Sequence, residues 1–307
     1  MRISTAAFQK RVTQNLARLE ERMGTLSNQI GSGRRVLKPS DDPRSVSVIN
    51  WAHDELGAND TRQRLAGDGL TILNTSDAAL GEMTDLLGRV VEVAQRALRP
   101  GTTDTARESS AADIRSAASE IIMLANTRVG NRYIYGGYQD RTPPITGEPD
   151  SATYGGDSNP ISVPLGSGRS CDVSVTGDEL LNFVRPDGTR AVPGVDADVF
   201  GALTALADAL DSGDDATAKT WTDNASLLRE RVLRVRGDMG AAQQRLEAHS
   251  STLDDTELRL NQLLTDREST DLAAAITEYS AQETDYKALI AVVGRVASLP
   301  TLFSTMN

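Results

Sequence analysis

The sequence predicts a mainly α-helical protein: a long antiparallel helical bundle or coiled coil, formed by the N- and C-terminal parts, with an inserted small β-rich domain. Aromatic residues make up only 4% of the 307 residues, so aliphatic side chains in helical layers must supply most of the core. Apolar residues recur at spacings of three and four near both ends of the chain. Between 143 and 193 the pattern changes, because seven of the eleven prolines lie there.

The first helix is predicted from a seam of apolar residues that step by four and three. This is the a and d pattern of a coiled coil, so the helix requires a partner. The predicted interface positions in this helix are Val12, Leu16, Leu19, Met23, Leu26 and Ile30.

The last helix carries a similar seam, up to Pro300, and a cluster of start signals precedes it. Thr265 and Glu268 have the spacing of a capping box, with Ser269, Thr270 and Asp271 as alternative caps. The predicted interface positions in this helix are Leu272, Ile276, Tyr279, Tyr286, Ile290 and Val293. The two terminal helices are expected to pair with each other and to bury the rest of their apolar surface against neighbouring copies.

A joint is predicted between the first and second helices, where an acidic pair lies between two prolines. Glycine favours a helix end, whereas proline suits the first position of the next helix and the preceding aspartate suits its cap. The predicted joint residues are Gly31, Gly33, Pro39, Asp41, Asp42 and Pro43. Two carboxylates without further oxygen ligands make a poor cation site, so we interpret the pair as structural.

Between the terminal helices, the sequence predicts helices, an insertion, and helices again. A helix from Ser45 to about Leu98 is followed by another that starts at the capping box Thr105 to Glu108 and ends near Val129. Strands are expected at 161–165, 172–175 and 180–184. Helix resumes near Val199 and, after a turn at 212–214, continues through the heptad leucines Leu246, Leu253 and Leu260.

These patterns divide the chain into five predicted segments. They are 1–42, an N-terminal coiled-coil helix that forms a terminal domain with 266–307; 43–137, the N-terminal part of a helical bundle; 138–198, an inserted β-rich outer domain; 199–265, the C-terminal part of the bundle; and 266–307, the C-terminal coiled-coil helix.

Composition argues against several classes of function. A net charge of -11 disfavours nucleic acid as a partner, and no apolar run is long enough to predict a membrane span. The start lacks the apolar segment of an ordinary secretory signal, and the single cysteine, Cys171, cannot form an intramolecular disulfide. His53 and His249 have no second ligand at zinc spacing. We therefore predict no catalytic, cofactor-binding or metal residues.

Beyond these patterns, the start of the chain, residues 1–43, resembles the flagellar hook-associated protein 3 (FlgL) family, whose members combine an MRIS-type start, a long helix and an LxPSDDP segment. Members of the family have an SSG-like break after the long helix, and the break here is Gly31-Ser32-Gly33, a small departure from that pattern. Residues 125–145 look like the family's exit into its β domain, and 234–247 and 286–303 are similar to helices that it shares with flagellin.

The resemblance implies a non-enzymatic structural adaptor at the junction of hook and filament. Copies of the chain would form a ring or layer between hook-associated protein 1 and flagellin, with the terminal coiled coils inside and the β domain outside. Export would use the flagellar type III apparatus, without a Sec signal, to the cell exterior. The family's C-terminal helix also binds an export chaperone, which places that partner on 272–296.

Two alternatives remain open at the level of sequence. A short flagellin that forms the filament itself shares most of these features, although its usual joint fits RVLKPSDDP less well. A secreted enzyme or carbohydrate-binding module in the insertion would need a binding face, for which the tyrosines between Tyr133 and Tyr154 are the candidates.

Overall fold

The computed structural model describes residues 2–166 and 168–298, and side chains from residue 10 to 295 apart from residue 167. This part of the chain is mainly α-helical, as predicted. Its helices are α1 (Arg2–Ser32), α2 (Pro43–Ala97), α3 (Asp104–Ala125), α4 (Gly177–Leu180), α5 (Val199–Asp211), α6 (Asp215–Glu268) and α7 (Leu272–Ser298). The predicted end of the last helix at Pro300 lies outside the described residues. None of the described helices is long and apolar enough to cross a membrane.

The described residues between α3 and α5 contain three small antiparallel hairpins rather than one larger sheet, and the first hairpin precedes the predicted insertion at 138–198. Each hairpin has two strands, paired β1 with β2, β3 with β4, and β5 with β6. The strands are β1 (Arg128–Val129), β2 (Arg132–Tyr133), β3 (Ile145–Thr146), β4 (Thr153–Tyr154), β5 (Ser162–Gly166) and β6 (Arg169–Asp172). The strand predicted at 161–165 corresponds to β5, whereas the one predicted at 172–175 begins where β6 ends.

The strand predicted at 180–184 is wrong, because a helical turn and a buried asparagine occupy this stretch. Asn182 has a positive φ of 62°, which the short amide side chain tolerates better than most residues do. Its Nδ2 donates to the carbonyls of Val195 and Ala197, and its Oδ1 accepts from the Val192 N–H. The side chain therefore organises a compact loop where sequence alone indicated an extended segment.

The helix boundaries follow local capping chemistry. α2 begins at Pro43 and α5 at Val199, both as predicted. For α3 the predicted box at Thr105 is wrong: the cap is Thr103, whose hydroxyl accepts a hydrogen bond from the Ala106 N–H at 3.3 Å. The helix also ends at Ala125, four residues before the predicted end.

The chain divides into two compact units. One combines Met1–Asn59 with Asp255–Asn307, and the other is Asp60–Asp254. Both α2 and α6 contribute residues to each unit. The five predicted segments stay a prediction, since this division concerns compact units and not the proposed inner, bundle and outer domains.

The unit 60–254 has the main hydrophobic core, built from α2, α3, α5 and α6 under the insertion. Fully buried side chains from these elements include Leu80, Leu87, Ile114, Ile121, Phe200, Leu203, Leu228 and Val232. A second cluster joins hairpin β5–β6 to α2 and α6 through Leu73, Val163, Val173 and Leu246. Burial of aliphatic area in layers is therefore the main stabilising contribution in this unit.

The other unit contains the two terminal helices and a smaller core near the joint. α1 runs antiparallel to α7, since Glu20 contacts Tyr286 while Arg22 contacts Glu278. Beside the joint, the start of α2 packs on the end of α6 through Ile49, Ala52, Leu260 and Leu264. This unit holds all the residues predicted for assembly and for the joint.

Candidate assembly site: the joint and the terminal helices

Asp42 is the N-cap of α2. Its Oδ1 accepts a hydrogen bond from the Ser45 N–H at 3.1 Å, and its Oδ2 accepts one from the Ser45 hydroxyl at 2.6 Å. These bonds, assisted by Arg35, stabilise the carboxylate and lower its pKa from the usual 3.8 to about 2. The cap predicted from the Asp-Pro sequence is therefore confirmed.

Asp41, the other member of the acidic pair, holds the turn that precedes the cap. Its Oδ2 accepts from the Leu37 N–H at 3.1 Å and from the Lys38 N–H at 2.8 Å. Both carboxylates thus act as acceptors for local donors. Among the described residues, no group of three or more His, Cys, Asp or Glu side chains is placed to hold a metal ion.

The other predicted joint residues lie in or beside the same turn. Gly31 is inside the last turn of α1, and Gly33 follows the helix with a φ of +70°, a conformation that glycine adopts without strain. Pro39 is in the exposed turn, and Pro43 is the first residue of α2. The functional role assigned to these positions stays a prediction.

The break between α1 and α2 lies against the break between α6 and α7. The Arg35 N–H donates to the Glu268 carbonyl at 2.6 Å, and the Thr270 N–H donates to the Gly33 carbonyl at 3.0 Å. Arg34 and Ser269 form an antiparallel bridge between these bonds. Two breaks that are distant in sequence are therefore joined by backbone hydrogen bonds into one structural element, which we call the paired joint (33–45 and 267–271).

Arg35 connects the parts of the paired joint through its side chain. Its guanidinium donates to Asp42 Oδ2 and Ser45 Oγ, both at 3.3 Å, and to the Arg267 carbonyl at 3.2 Å. Its own carbonyl accepts from Gln29 Nε2 in α1 at 2.8 Å. No sequence pattern indicates this role, because Arg34, Arg35 and Lys38 resemble an ordinary solvated basic run.

The second break repeats the capping chemistry of the first. α6 continues through the box predicted at Thr265 and ends at Glu268, so that box does not start the last helix. Asp271, one of the predicted alternatives, is the cap: its Oδ1 accepts from the Ala274 N–H at 3.0 Å. Glu268 also contacts His53 Nε2 at 3.1 Å, which ties the end of α6 to α2.

Polar contacts as well as apolar ones join the terminal helices. Arg22 Nε donates to Glu278 Oε1 at 3.0 Å, and the Tyr286 hydroxyl donates to Glu20 Oε1 at 3.0 Å. The Glu20 carboxylate raises the pKa of Tyr286 by accepting this bond. The Arg22 pair is well exposed to solvent, so it contributes little to stability and more to the alignment of the helices.

The predicted interface positions of α1 face its partner to different degrees. Val12 and Leu26 are buried, whereas Leu16, Leu19, Met23 and Ile30 are half-buried. Along this helix, the apolar stripe is therefore covered only in part within one copy of the chain.

The predicted positions of α7 separate into two faces. Tyr279, Tyr286 and Val293 are half-buried, while Leu272, Ile276 and Ile290 are 47%, 51% and 47% exposed. Among the α7 side chains that the structure describes, Ala275 is the buried one, and the predicted stepping missed it because its small side chain is a weak apolar signal. The face that packs on α1 is thus rotated away from three large aliphatic side chains. We call the surface that these three side chains form the outer α7 face (Leu272, Ile276 and Ile290).

The tyrosines of the insertion do not share one exposed face. Tyr135 is buried, with its hydroxyl 3.3 Å from Ser76 Oγ, and burial raises its pKa. The Tyr154 hydroxyl donates to the carbonyls of Tyr135 and Asp157. Tyr138 is exposed, and Tyr133 packs against the Arg128 guanidinium. The binding face required by the carbohydrate or enzyme alternative is therefore absent among these four residues.

Two long terminal helices, a capped break in each half of the chain and an insertion between the halves define a mainly α-helical protein with a small β-rich part. The sequence model of the bacterial flagellin N-terminal helical region matches residues 3–140. The match covers the chain from α1 to the first hairpin.

Within that class, the chain is similar to flagellar hook-associated protein 3. It is 28% identical to that protein of Escherichia coli (strain K12) over 305 residues, which cover 94% of each chain. It is 25% identical to flagellin of Bacillus subtilis (strain 168), over 88% of this chain and 86% of that one. The fold is shared with FlgL of Xanthomonas campestris, with a TM-score of 0.61 and 14% identity over 70% of this chain and 99% of that chain. The resemblance to the FlgL family is confirmed.

Proposed function

We propose that this protein is a structural component of the bacterial flagellum, an adaptor between hook and filament that assembles through its terminal helices. The observation that carries the proposal is the outer α7 face in a chain similar to hook-associated protein 3. Three large aliphatic side chains aligned on one helix and about half exposed are expected to gain partners in a polymer.

The paired joint fits this role as a mechanical element. One break connects α1 to α2 and the other connects α6 to α7, and the two breaks are hydrogen-bonded to each other. Asp42 caps the helix after the first break, and Asp271 caps the helix after the second. A coordinated junction of this kind fixes the direction of both helices at once. It would transmit the geometry of the terminal coiled coil to the adjoining helices when copies assemble.

The proposed partners are further copies of this chain in a ring or layer, hook-associated protein 1, and flagellin. Before assembly, an export chaperone would bind the C-terminal helix, and export through the flagellar type III apparatus would place the protein outside the cell. The outer α7 face suits both successive partners, because each would cover the same aliphatic side chains.

We propose no enzymatic activity. The two carboxylates that sequence placed in question, Asp41 and Asp42, accept hydrogen bonds from neighbouring backbone and side-chain donors. These hydrogen bonds give both carboxylates a structural role that requires no substrate.

The proposal is tested with the purified full-length protein. We expect it to remain monomeric without forming long filaments, and limited proteolysis to cleave within 1–35 and 270–307 before the core of the unit 60–254. Full protection of both ends in a verified monomer would contradict assembly through these helices. Spontaneous growth of long filaments would favour the short-flagellin alternative.

A further inference from the structure

A cluster of cationic side chains lies where hairpin β5–β6 packs on α6. Cys171 of β6 lies against α6, with its Sγ 3.7 Å from the Ala242 carbonyl. Arg169 is two residues before Cys171 on the same strand, so it shares the face directed to α6. On α6, Arg245 and His249 follow Ala242 by one and two turns, which places them on the same side of that helix.

α2 adds a further positive charge from the other side. Gln63 of α2 donates to Asp254 of α6 at 2.6 Å, so the two helices are adjacent here. The neighbouring Arg62, together with Arg169, acts electrostatically on His249. Two elements besides α6 therefore bring positive charge to the His249 imidazole, in a chain whose net charge is -11.

Among the described residues, neither Arg169 nor Arg245 forms an ion pair, and both are exposed. His249 Nε2 is buried and has no hydrogen-bond partner. The Asp254 carboxylate of α6 accepts from Gln63, and Asp172 lies on the opposite face of β6 from Cys171. A buried polar atom without a partner is costly and is expected to gain one from a ligand or neighbour.

We propose that Arg169, Arg245 and His249, supported by Arg62, form a binding site for an oxyanion: a phosphate or a carboxylate group. The guanidinium N–H groups would donate to the oxygens, and His249 would donate from Nε2 after taking up a proton. Burial and then the charges of Arg169 and Arg62 lower the pKa of the free imidazole, so a bound anion must raise it. Binding therefore strengthens as the pH falls. The residues of this site all belong to the unit 60–254, and the inference does not depend on the proposed function.

The test observes the two histidines of the full-length protein by NMR. His249 reports on the proposed site, and His53 is the internal control. Their ring signals, assigned with His53→Gln, are titrated with pH at constant ionic strength in chloride, in inorganic phosphate and in acetate. We expect phosphate or acetate to raise the pKa of His249 by at least about half a unit, saturably. A response to phosphate alone identifies a phosphate ligand, and a response to acetate shows that the site accepts a carboxylate group.

Matched variants separate a site from a general salt effect. Arg169→Gln and Arg245→Gln should each reduce the anion-dependent shift at least severalfold, whereas Arg141→Gln, which removes the same charge at another exposed position, should retain it. The proposal is overturned if neither anion shifts His249 beyond the shift in chloride, or if the Arg169→Gln, Arg245→Gln double variant keeps the full shift.

Discussion

The backbone N–H of Arg35 donates a 2.6 Å hydrogen bond to the carbonyl of Glu268, so the two helix breaks of the chain are held together. The Arg35 guanidinium extends this contact to Asp42, Ser45 and the Arg267 carbonyl. Since the backbone bond cannot be removed by side-chain substitution, the side chain is the part of this connection that mutation can test.

Arg35→Gln is expected to loosen the paired joint without unfolding the protein. The side chain is about half exposed, so we expect a local loss of about 1 kcal/mol, which corresponds to roughly fivefold faster hydrogen exchange at the Thr270 amide. Arg34→Gln is the matched control, because its contact with Glu268 is longer, at 3.8 Å, and more exposed. Equal effects of the two substitutions would contradict the special role of Arg35.

The capping bonds of Asp42 predict a specific pH dependence. Because its pKa in the folded protein is about 2, below the usual 3.8, the stability that this carboxylate contributes is present above about pH 4 and is lost as the pH falls towards 2. The Ser45 amide, which donates to this carboxylate, should therefore titrate near pH 2 in NMR spectra. A midpoint near 4 would show that the cap is not formed.

Amide substitutions in the acidic pair should be tolerated better than removal of the cap. Asn keeps an acceptor oxygen, so Asp41→Asn with Asp42→Asn should leave assembly largely intact, with a small loss of thermal stability from the weakened Arg35 contact. Asp42→Gly with Pro43→Gly removes the carboxylate and the fixed φ, and should impair assembly. Motility measurements on cells that carry either double variant distinguish a mechanical joint from a catalytic or metal-binding acid pair, which both variants would disable.

Two neighbouring glycines of α2 should respond in opposite directions to alanine. A Cβ at Gly69 would lie 2.9 Å from Leu246 Cδ2 and from Val163 Cγ2, so Gly69→Ala should destabilise the protein by about 1 to 3 kcal/mol through overpacking. Gly67 has nothing within 4 Å of the same position, so Gly67→Ala should stabilise by about 0.5 to 1 kcal/mol. Denaturant unfolding measures both, and a stabilising Gly69→Ala would refute the packing of hairpin β5–β6 on α2.

The outer α7 face should matter for assembly and not for the folded monomer. Ile276→Glu places a charge on a side chain that is 51% exposed, so monomer stability should change by less than about 0.5 kcal/mol while motility is lost. Thr277→Glu is the control, since Thr277 is also exposed and lies about 100° further around the helix. If both variants remained motile, the outer face would have no part in assembly.

Local chemistry made several parts of this structure predictable. Asp42-Pro43 carries both the cap and the first residue of a helix, and the start of α2 follows from these two residues alone. The seam of α1 was likewise visible in its spacing. By contrast, the hydrogen bond from Arg35 to Glu268 joins residues that are distant in sequence, and no local pattern indicates it.

The orientation of α7 is a second feature that the spacing of apolar residues did not predict. A spacing of three and four residues is compatible with two adjacent faces of the helix. A prediction from that spacing selects the large aliphatic residues and passes over Ala275, although Ala275 is buried. The loop around Asn182 was missed for another reason, because its amide bonds to the backbone of 192–197 replace a strand ladder. Both depend on tertiary contacts that spacing does not encode.

Immunogold labelling of intact flagella tests most directly the position proposed for this protein in the flagellum. Antibodies against the full-length protein, absorbed against flagellin, should label one narrow band at the boundary of hook and filament. Label distributed along the filament would contradict the adaptor function and identify a filament subunit instead.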